Sequence, residues 1–258
     1  MSAALFFSLA LLSAPPEDFD IFFARFVEKR AGVKILQADI LEETIQYGGV
    51  TSRRGQLLFG EPRRIIFRYQ GDEPTMMIDD RRVYEFDPLE EQLQIFDIED
   101  SLETSLFFLG FDSDPKALKE SYDVNLFAVK SDLGQRGIEI RPYKEDINAV
   151  SFVSVSIYLR DSDYLPYRIE IEIDDDTRMV TEISNHQVNG PVDPALTRLR
   201  IPAGTRVIEN NEVTIRAVPD GGMMVPETAL DVEATAPAPA PAEPDTGAAV
   251  EVQELPAP

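Results

Sequence analysis

The fold of this chain is decided by one stretch of sequence, residues 55–96: GQLLFGEPRRIIFRYQGDEPTMMIDDRRVYEFDPLEEQLQIF. Apolar and polar residues alternate in it with a period of two, which is typical of strands with one buried face. The alternation places Ile65, Phe67 and Tyr69 opposite Arg64, Ile66 and Arg68. Turn-forming residues separate the apolar runs at positions 60–62, 71–74, 79–80 and 87–88. The stretch therefore predicts four or five short antiparallel strands with one apolar and one charged face.

Similar strand patterns lie on both sides of this stretch. Residues 34–47 predict one long strand that turns at Gly48 and Gly49. Further strands are predicted at 124–129, 138–142, 152–159, 167–173 and 179–188. In the fourth of these, Tyr167, Ile169, Ile171 and Ile173 share one face. The total of about eleven strands favours one large curved antiparallel sheet over an alternating α/β fold.

Three segments have helical patterns. Residues 17–30 carry an apolar stripe of phenylalanines and should end at a Gly32 cap. Residues 101–111 are apolar almost all round, so that a helix there must be covered by other parts of the chain. Residues 114–120 predict a short helix that begins at Asp114 and Pro115. These last two helices fit either a lid over the sheet or an ordinary core-covering pair.

An ordered series of individually weak motifs runs through residues 55–96. The series consists of Gly55, Pro62, Phe67, Pro74, Asp79, Tyr84, Phe86, Asp87, Pro88 and Gln92. An apolar strand that leads into proline and glycine follows at residues 192–205. In order and spacing these motifs resemble the LolA family of periplasmic lipoprotein carriers, and the resemblance covers roughly residues 18–208. It implies a mainly β fold with helices, an open, incomplete antiparallel β-barrel with a helical lid.

A one-sided apolar sheet covered by helices can be a plain core or a cavity for a long apolar ligand. The resemblance favours a cavity for acyl chains. Its predicted lining consists of Leu57, Phe59, Ile65, Phe67, Tyr69, Met77, Tyr84, Phe86, Leu93 and Ile95 from the sheet and of Leu106, Phe107 and Phe111 from the lid.

The resemblance also implies a latch between sheet and lid. In the family an arginine before the strand-opening proline hydrogen-bonds to the lid. Here that position is Glu61, whose ionised carboxylate only accepts hydrogen bonds. Arg63 and Arg64 follow directly and are the alternative donors.

Both ends of the chain differ from the middle in composition. Residues 1–16 contain an apolar run that is too short to span a bilayer and ends in small residues, which predicts a signal peptide cleaved after Ala10 or Ala14. A first buried helix is the alternative. Residues 219–258 are acidic and rich in proline and alanine, which predicts a disordered tail. The lipid-binding domain is accordingly predicted at residues 17–218.

Composition argues against catalysis and against nucleic acid. The formal net charge of −23 disfavours a phosphate backbone as partner. The chain has no cysteine and a single histidine, His186, so that neither a histidine pair nor a cysteine site can form. The run Asp174–Asp176 lacks the glycine and glutamate of a calcium loop, and we expect a hairpin turn there. We expect no enzymatic activity and no cofactor.

The resemblance, with which these observations agree, implies a periplasmic carrier that binds acyl chains of lipoproteins, or another lipid, and moves them toward the outer membrane. Its partners would be an inner-membrane transporter and an outer-membrane acceptor, and we expect a monomer. The alternative is a regulatory or sensor protein of the same fold that contacts a protein partner.

Overall fold

A computed structural model of the protein describes residues 18–60, 63–98, 115–143, 151–215 and 217–226. The helices are α1 (Phe19–Arg30) and α2 (Pro115–Ser121), with a 3-10 helix at Pro194–Thr197. The strands are β1 (Ile35–Gln46), β2 (Gly49–Gly60), β3 (Arg64–Tyr69), β4 (Thr75–Ile78), β5 (Arg82–Asp87), β6 (Gln92–Asp97), β7 (Tyr122–Ala128), β8 (Arg136–Pro142), β9 (Ser154–Leu159), β10 (Pro166–Glu172), β11 (Thr177–Val188), β12 (Leu199–Ile201), β13 (Arg206–Glu209), β14 (Glu212–Ile215) and β15 (Met223–Val225).

Thirteen of these strands form one sheet in the order β14-β13-β6-β5-β4-β3-β2-β1-β11-β10-β9-β8-β7. The sheet is open, since β14 and β7 lie at its two ends, and its pairings are antiparallel except for β13 with β6. The fold class is therefore confirmed, with two more strands in the main sheet than the sequence predicted. The strands β12 and β15 pair separately as a two-stranded sheet.

The long hairpin of β1 and β2 lies at the centre of the sheet. Its strands are twelve residues each and pair along their whole length, from Ile35 with Gly60 to Gln46 with Gly49. Tyr47 and Gly48 form the turn with positive φ angles, a conformation that suits the twist of a two-residue hairpin. Because β3 follows on one side and β11 on the other, the hairpin joins the N-terminal and C-terminal halves of the sheet.

We call the face that carries Leu57, Phe67 and Ile169 the inner face, and the face that carries Leu58, Ile66 and Met77 the outer face. The register fixes this division, because Leu57 is paired with Phe67, while Leu58 is paired with Ile66, which is paired with Met77. Residues paired across neighbouring strands lie on the same side of a sheet.

The inner face holds two hydrophobic clusters. In the first, α1 packs Phe22, Phe23 and Phe26 against strands β8 and β9. Asp18 caps this helix by accepting a hydrogen bond from the Asp20 backbone nitrogen at 2.8 Å. The helix ends at Arg30 with Ala31 as C-cap in the right-handed region, so the predicted Gly32 cap is wrong. The second cluster is built on β1 to β4 around Leu36, Leu57, Phe59 and Ile65.

The outer face is a second core, so the prediction that only one face of the sheet is apolar is wrong. Ile66 is fully buried and Arg64 is buried. They belong to a region in which Leu58, Met77 and Leu93 pack against residues of the C-terminal segment, among them Leu199, Val207 and Val225. The sheet therefore buries both faces along β2 to β6, because residues 192–225 fold back across it.

The C-terminal boundary of the domain also differs from the prediction. Met223–Val225 form β15, which pairs with β12, and Val225 is only 5% exposed. The predicted disordered tail from residue 219 therefore begins too early, since the folded domain extends at least to Pro226. The signal-peptide, lid and remaining tail predictions concern residues 1–16, 101–114 and 227–258, which lie outside the described residues.

Candidate functional site

A cavity of about 280 Å³ lies on the inner face between the two hydrophobic clusters. Its wall is mainly apolar. The described residues that line it are Glu42, Leu57, Phe67, Tyr69, Met76, Ile78, Ser151, Phe152, Val155, Ile157, Ile169, Ile171, Ile173, Met179, Thr181 and Ile183.

The register of the strands brings this lining together. On one side Val155 is paired with Ile171 and Ile157 with Ile169, so that β9 and β10 present a continuous apolar surface. On the other side Leu57 and Phe67 are paired across β2 and β3. Ile169 packs against both hydrophobic clusters. The cavity is therefore a gap between two well-packed regions, bounded by residues from both halves of the chain.

Among the described lining residues, one charged group is buried, the carboxylate of Glu42. Arg53 donates to its Oε1 from Nε at 2.7 Å, and a terminal guanidinium nitrogen of Arg53 also lies 2.7 Å from it. The hydroxyl of Tyr69 donates to its Oε2 at 2.8 Å. The Arg53 guanidinium stacks on the Tyr69 ring, 3.8 Å from the ring centroid. We call Glu42, Arg53 and Tyr69 the polar triad.

The Tyr69 phenol remains a hydrogen-bond donor throughout the physiological pH range. Burial, and then the neighbouring Glu42 carboxylate, raise the pKa of Tyr69 far above its ordinary value. Since the phenol stays protonated, its proton continues to satisfy one oxygen of Glu42. The polar triad thus pairs one carboxylate with one guanidinium and carries no net charge.

Gly55 allows the strands beneath the triad to approach closely. It is paired with Ile40 on β1 and with Tyr69 on β3. A Cβ atom at Gly55 would lie 2.2 Å from the backbone oxygen of Arg68, closer than any real contact. The absence of a side chain here lets β2 and β3 pair next to Tyr69.

The structure separates the predicted lining into two groups. Leu57, Phe67 and Tyr69 line the cavity, and Phe59 and Ile65 belong to the adjacent inner core. The remaining predicted strand residues lie on the outer face, in the core formed with the C-terminal segment, and their assignment to the cavity is wrong: Met77, Tyr84, Phe86, Leu93 and Ile95. Tyr84 pairs with Met77 and Ile95, which places all three on the same face, opposite to Phe67.

The predicted lid and latch residues are placed only in part. Leu106, Phe107, Phe111 and Glu61 lie outside the described residues, and their roles remain predictions. Arg63 is half-buried with a positive φ angle of 22°. Arg64 is paired with Gly60 and lies on the outer face. Tyr84 lies on that face, and its burial raises the pKa of its phenol. The positive charge of Arg64 acts in the opposite direction on that pKa, which places Arg64 near Tyr84. Arg64 therefore faces away from the cavity.

Sequence reasoning missed most of the cavity wall. The missed residues are Glu42, Met76, Ile78, Ser151, Phe152, Val155, Ile157, Ile169, Ile171, Ile173, Met179, Thr181 and Ile183. The alternation at residues 167–173 did identify the apolar face of β10, which is the strongest signal for this half. Nothing in that alternation indicates which strand lies across the cavity from it.

Among the described residues, neither His186 nor the acidic side chains belong to a metal-binding group. His186 is half-buried, and its Nε2 lies 2.8 Å from the carbonyl oxygen of Pro166. Within the described ranges, no group of three or more histidine, cysteine, aspartate or glutamate side chains is placed to hold a metal ion. Among the same residues, no helix combines the length and the apolar character needed to cross a membrane.

Comparisons with known proteins give structural similarity at low sequence identity. No family model matches the chain, and no curated protein matches it. An uncharacterized conserved protein from Thermus thermophilus is 14% identical with a TM-score of 0.47, over 75% of this chain and 100% of that protein.

Two further solved structures have lower TM-scores. The complex of MucA and MucB from Pseudomonas aeruginosa matches with a TM-score of 0.39 and 11% identity, over 70% of this chain and 69% of that one. A LolA superfamily protein from Nitrosomonas europaea matches with a TM-score of 0.34 and 14% identity, over 67% of this chain and 96% of that one. A LolA superfamily protein is thus among the solved structures to which this chain is similar.

Proposed function

We propose that this protein binds acyl chains in the cavity of its inner face and serves as a periplasmic carrier of lipids or of the acyl chains of lipoproteins, without catalysing a reaction. The observation that carries the proposal is the apolar cavity of about 280 Å³ between two packed clusters. Its volume is close to the lower end of the range of small-molecule sites, and an apolar wall with few polar groups is their usual character.

The cavity wall suits a flexible hydrocarbon. An acyl chain that buries about ten methylene groups gains on the order of 8 kcal/mol from their removal from water. Met76 and Met179 add adaptable side chains to the wall, which suits a chain that has no fixed shape. The lining offers no nucleophile and base in contact among the described residues, so we assign it a binding role.

The carrier role also requires export, which depends on residues 1–16. The experiment for this part is N-terminal sequencing of the protein from a periplasmic fraction, with an expected start between Leu11 and Glu17. An intact Met1 in the cytoplasm would contradict the periplasmic assignment.

Acyl-chain binding is tested by mass spectrometry of lipids that co-purify with the protein and by titration with a fluorescent fatty-acyl probe. Ile169→Trp fills the cavity, because Ile169 is half-buried in its wall. Val213→Trp is the matched control, since Val213 is 56% exposed on β14 and lies outside the lining. We expect probe affinity to fall at least tenfold in Ile169→Trp and to stay unchanged in Val213→Trp. Equal affinity in both variants, or no uptake by the wild type, would contradict the proposal.

A further inference from the structure

The geometry points to a ligand class for the cavity: an amphiphile with one acyl chain and an uncharged head group that both donates and accepts hydrogen bonds, such as a monoacylglycerol, in preference to a fatty-acid anion. This inference rests on the proposed function, since it assigns the head-group end of the same site. The polar triad of Glu42, Arg53 and Tyr69 supplies the selectivity.

The triad lies where the apolar floor of the cavity ends on β1 and β2. Glu42 is paired with Arg53 on one side and with Thr181 on the other, so that all three share the inner face. One step further toward the hairpin turn, the paired inner positions are Thr44 and Thr51, which are half-buried and exposed. A chain that lies along Leu57 and Ile183 therefore meets polar groups on β1 and β2 in this direction, while Met179, which is paired with Thr44, continues the apolar wall on β11.

The hydrogen-bond inventory of Glu42 favours a ligand that donates. Oε1 faces the Arg53 guanidinium, and Oε2 accepts from the Tyr69 hydroxyl. A carboxylate has about four acceptor positions on its two oxygens, so Oε2 keeps capacity for a further donor. Glu42 is only 5% exposed, and a ligand hydroxyl or amide N–H in the cavity would be its partner.

Acceptor groups of a ligand also find partners here. The Thr181 hydroxyl lines the cavity and can donate as well as accept. A glycerol ester or an amide matches both kinds of group. A free carboxylate only accepts and would place its charge beside the Glu42 carboxylate.

Charge gives a second reason to disfavour an anion. The guanidinium of Arg53 is already balanced by Glu42 at 2.7 Å, so the triad as a whole is neutral. The chain around it has a formal net charge of −23. An anionic head group thus gains little from Arg53 and is opposed by the field of the protein.

The inference is tested by competition. Wild-type protein is loaded with the neutral fluorophore N-phenylnaphthylamine, which is displaced by laurate, dodecylamine or monolauroylglycerol, three compounds with matched chains. We expect monolauroylglycerol to bind with a Kd at least tenfold lower than that of laurate, and stronger competition by dodecylamine than by monolauroylglycerol would overturn the assignment of an uncharged head group. Equal competition by all three would overturn the head-group inference and leave acyl-chain binding intact. Failure of every compound to compete would overturn the proposed function as well.

A variant pair locates the selectivity at the triad. Glu42→Gln leaves Arg53 without its counter-charge, so we expect the preference over laurate to fall at least fivefold. Glu170→Gln is the control, because Glu170 Oε1 accepts from Arg168 Nε at 2.6 Å on the outer face of the same sheet. An unchanged preference in folded Glu42→Gln would contradict the assignment to the triad. Should that variant fail to fold, the wild-type series decides the inference alone.

Discussion

The guanidinium of Arg68 donates a hydrogen bond to the backbone carbonyl oxygen of Leu196 at 3.2 Å. The same nitrogen also donates to the carbonyl oxygen of Arg198 at 2.5 Å. These contacts tie β3 to the segment that covers the outer face of the sheet. Burial lowers the pKa of Arg68, which is consistent with a cation removed from water. The C-terminal segment is therefore held on the outer face by the hydrogen bonds of Arg68 as well as by apolar packing.

The first prediction concerns this contact. Arg68→Met keeps much of the aliphatic stem and removes both charge-assisted hydrogen bonds, leaving two carbonyl groups without their donor. We expect the free energy of unfolding to fall by about 2 to 3 kcal/mol, measured by urea denaturation. The control is Arg54→Met, at an exposed outer position of β2, where a change within about 0.5 kcal/mol is expected. Similar losses in both variants would mean that the hydrogen bonds are not the cause.

The second prediction places the end of the folded domain. A chain that ends at residue 222 lacks β15 and the buried side chain of Val225, whose burial alone stabilises by about 1.5 to 3 kcal/mol. We expect its Tm to fall by about 5 °C or more. A chain that ends at residue 226 retains β15 and should melt like the full-length protein. The measurement is thermal unfolding by circular dichroism, and equal Tm values for all three chains would contradict the assignment of β15.

The third prediction tests ligand binding in the cavity through Phe67, a lining residue on β3. Phe67→Glu places a carboxylate where the ligand chain must lie, and an unpaired buried charge costs several kcal/mol. We expect affinity for the fluorescent fatty-acyl probe to fall at least tenfold, which corresponds to about 1.4 kcal/mol. The protein should remain folded, because Phe67 is only half-buried and the cavity can admit water.

The control for Phe67→Glu must lie outside both cores. Val50→Glu fulfils this condition, since Val50 is 60% exposed beside the hairpin turn. The neighbouring Arg68, which the alternation placed on the charged face, is unsuitable as a control because its side chain donates hydrogen bonds to the carbonyl oxygens of Leu196 and Arg198. Unfolding of Phe67→Glu, together with no probe uptake by the wild type, would show that the site is a plain core.

The fourth prediction concerns His186 and pH. Burial lowers the pKa of His186, with Arg160 acting in the same direction, against the opposing effects of the Pro166 carbonyl and the Asp163 carboxylate. The unfolded chain therefore binds this proton more readily than the folded protein does. Stability from this residue is present above pH 6.5, the unperturbed pKa, and is lost as pH falls through the folded value.

His186 is the only histidine, so its titration can be followed by proton NMR without assignment of others. We expect a midpoint below pH 6.5 in the folded protein. His186→Gln should show a smaller loss of unfolding free energy than the wild type as pH is lowered below that value. A midpoint at or above 6.5, with parallel stability curves, would contradict the direction of the shift.

The sequence by itself determined the strands and which residues within one strand share a side. Period-two alternation is a property of the extended backbone, so it can be recognised in a sequence without knowing which strand pairs with which. For this reason residues 55–96 predicted the meander of β2 to β6, and residues 167–173 predicted the apolar face of β10. The open antiparallel architecture followed from the number of these strands and from the resemblance of their motifs.

Only the tertiary structure decided what covers each face. Ile66 shares its side of β3 with Arg64 and Arg68, which marks that side as charged, yet Ile66 is buried because the C-terminal segment returns across it. The pairing of β13 with β6 joins parts of the chain that are distant in sequence, and no local pattern encodes it. The same holds for the cavity, where Leu57 and Ile169 meet only because β1 pairs with β11. Alternation fixes the side of its strand to which a side chain points. Whether that side chain is buried, and which residues it contacts, depends on the distant segments that pack against that side.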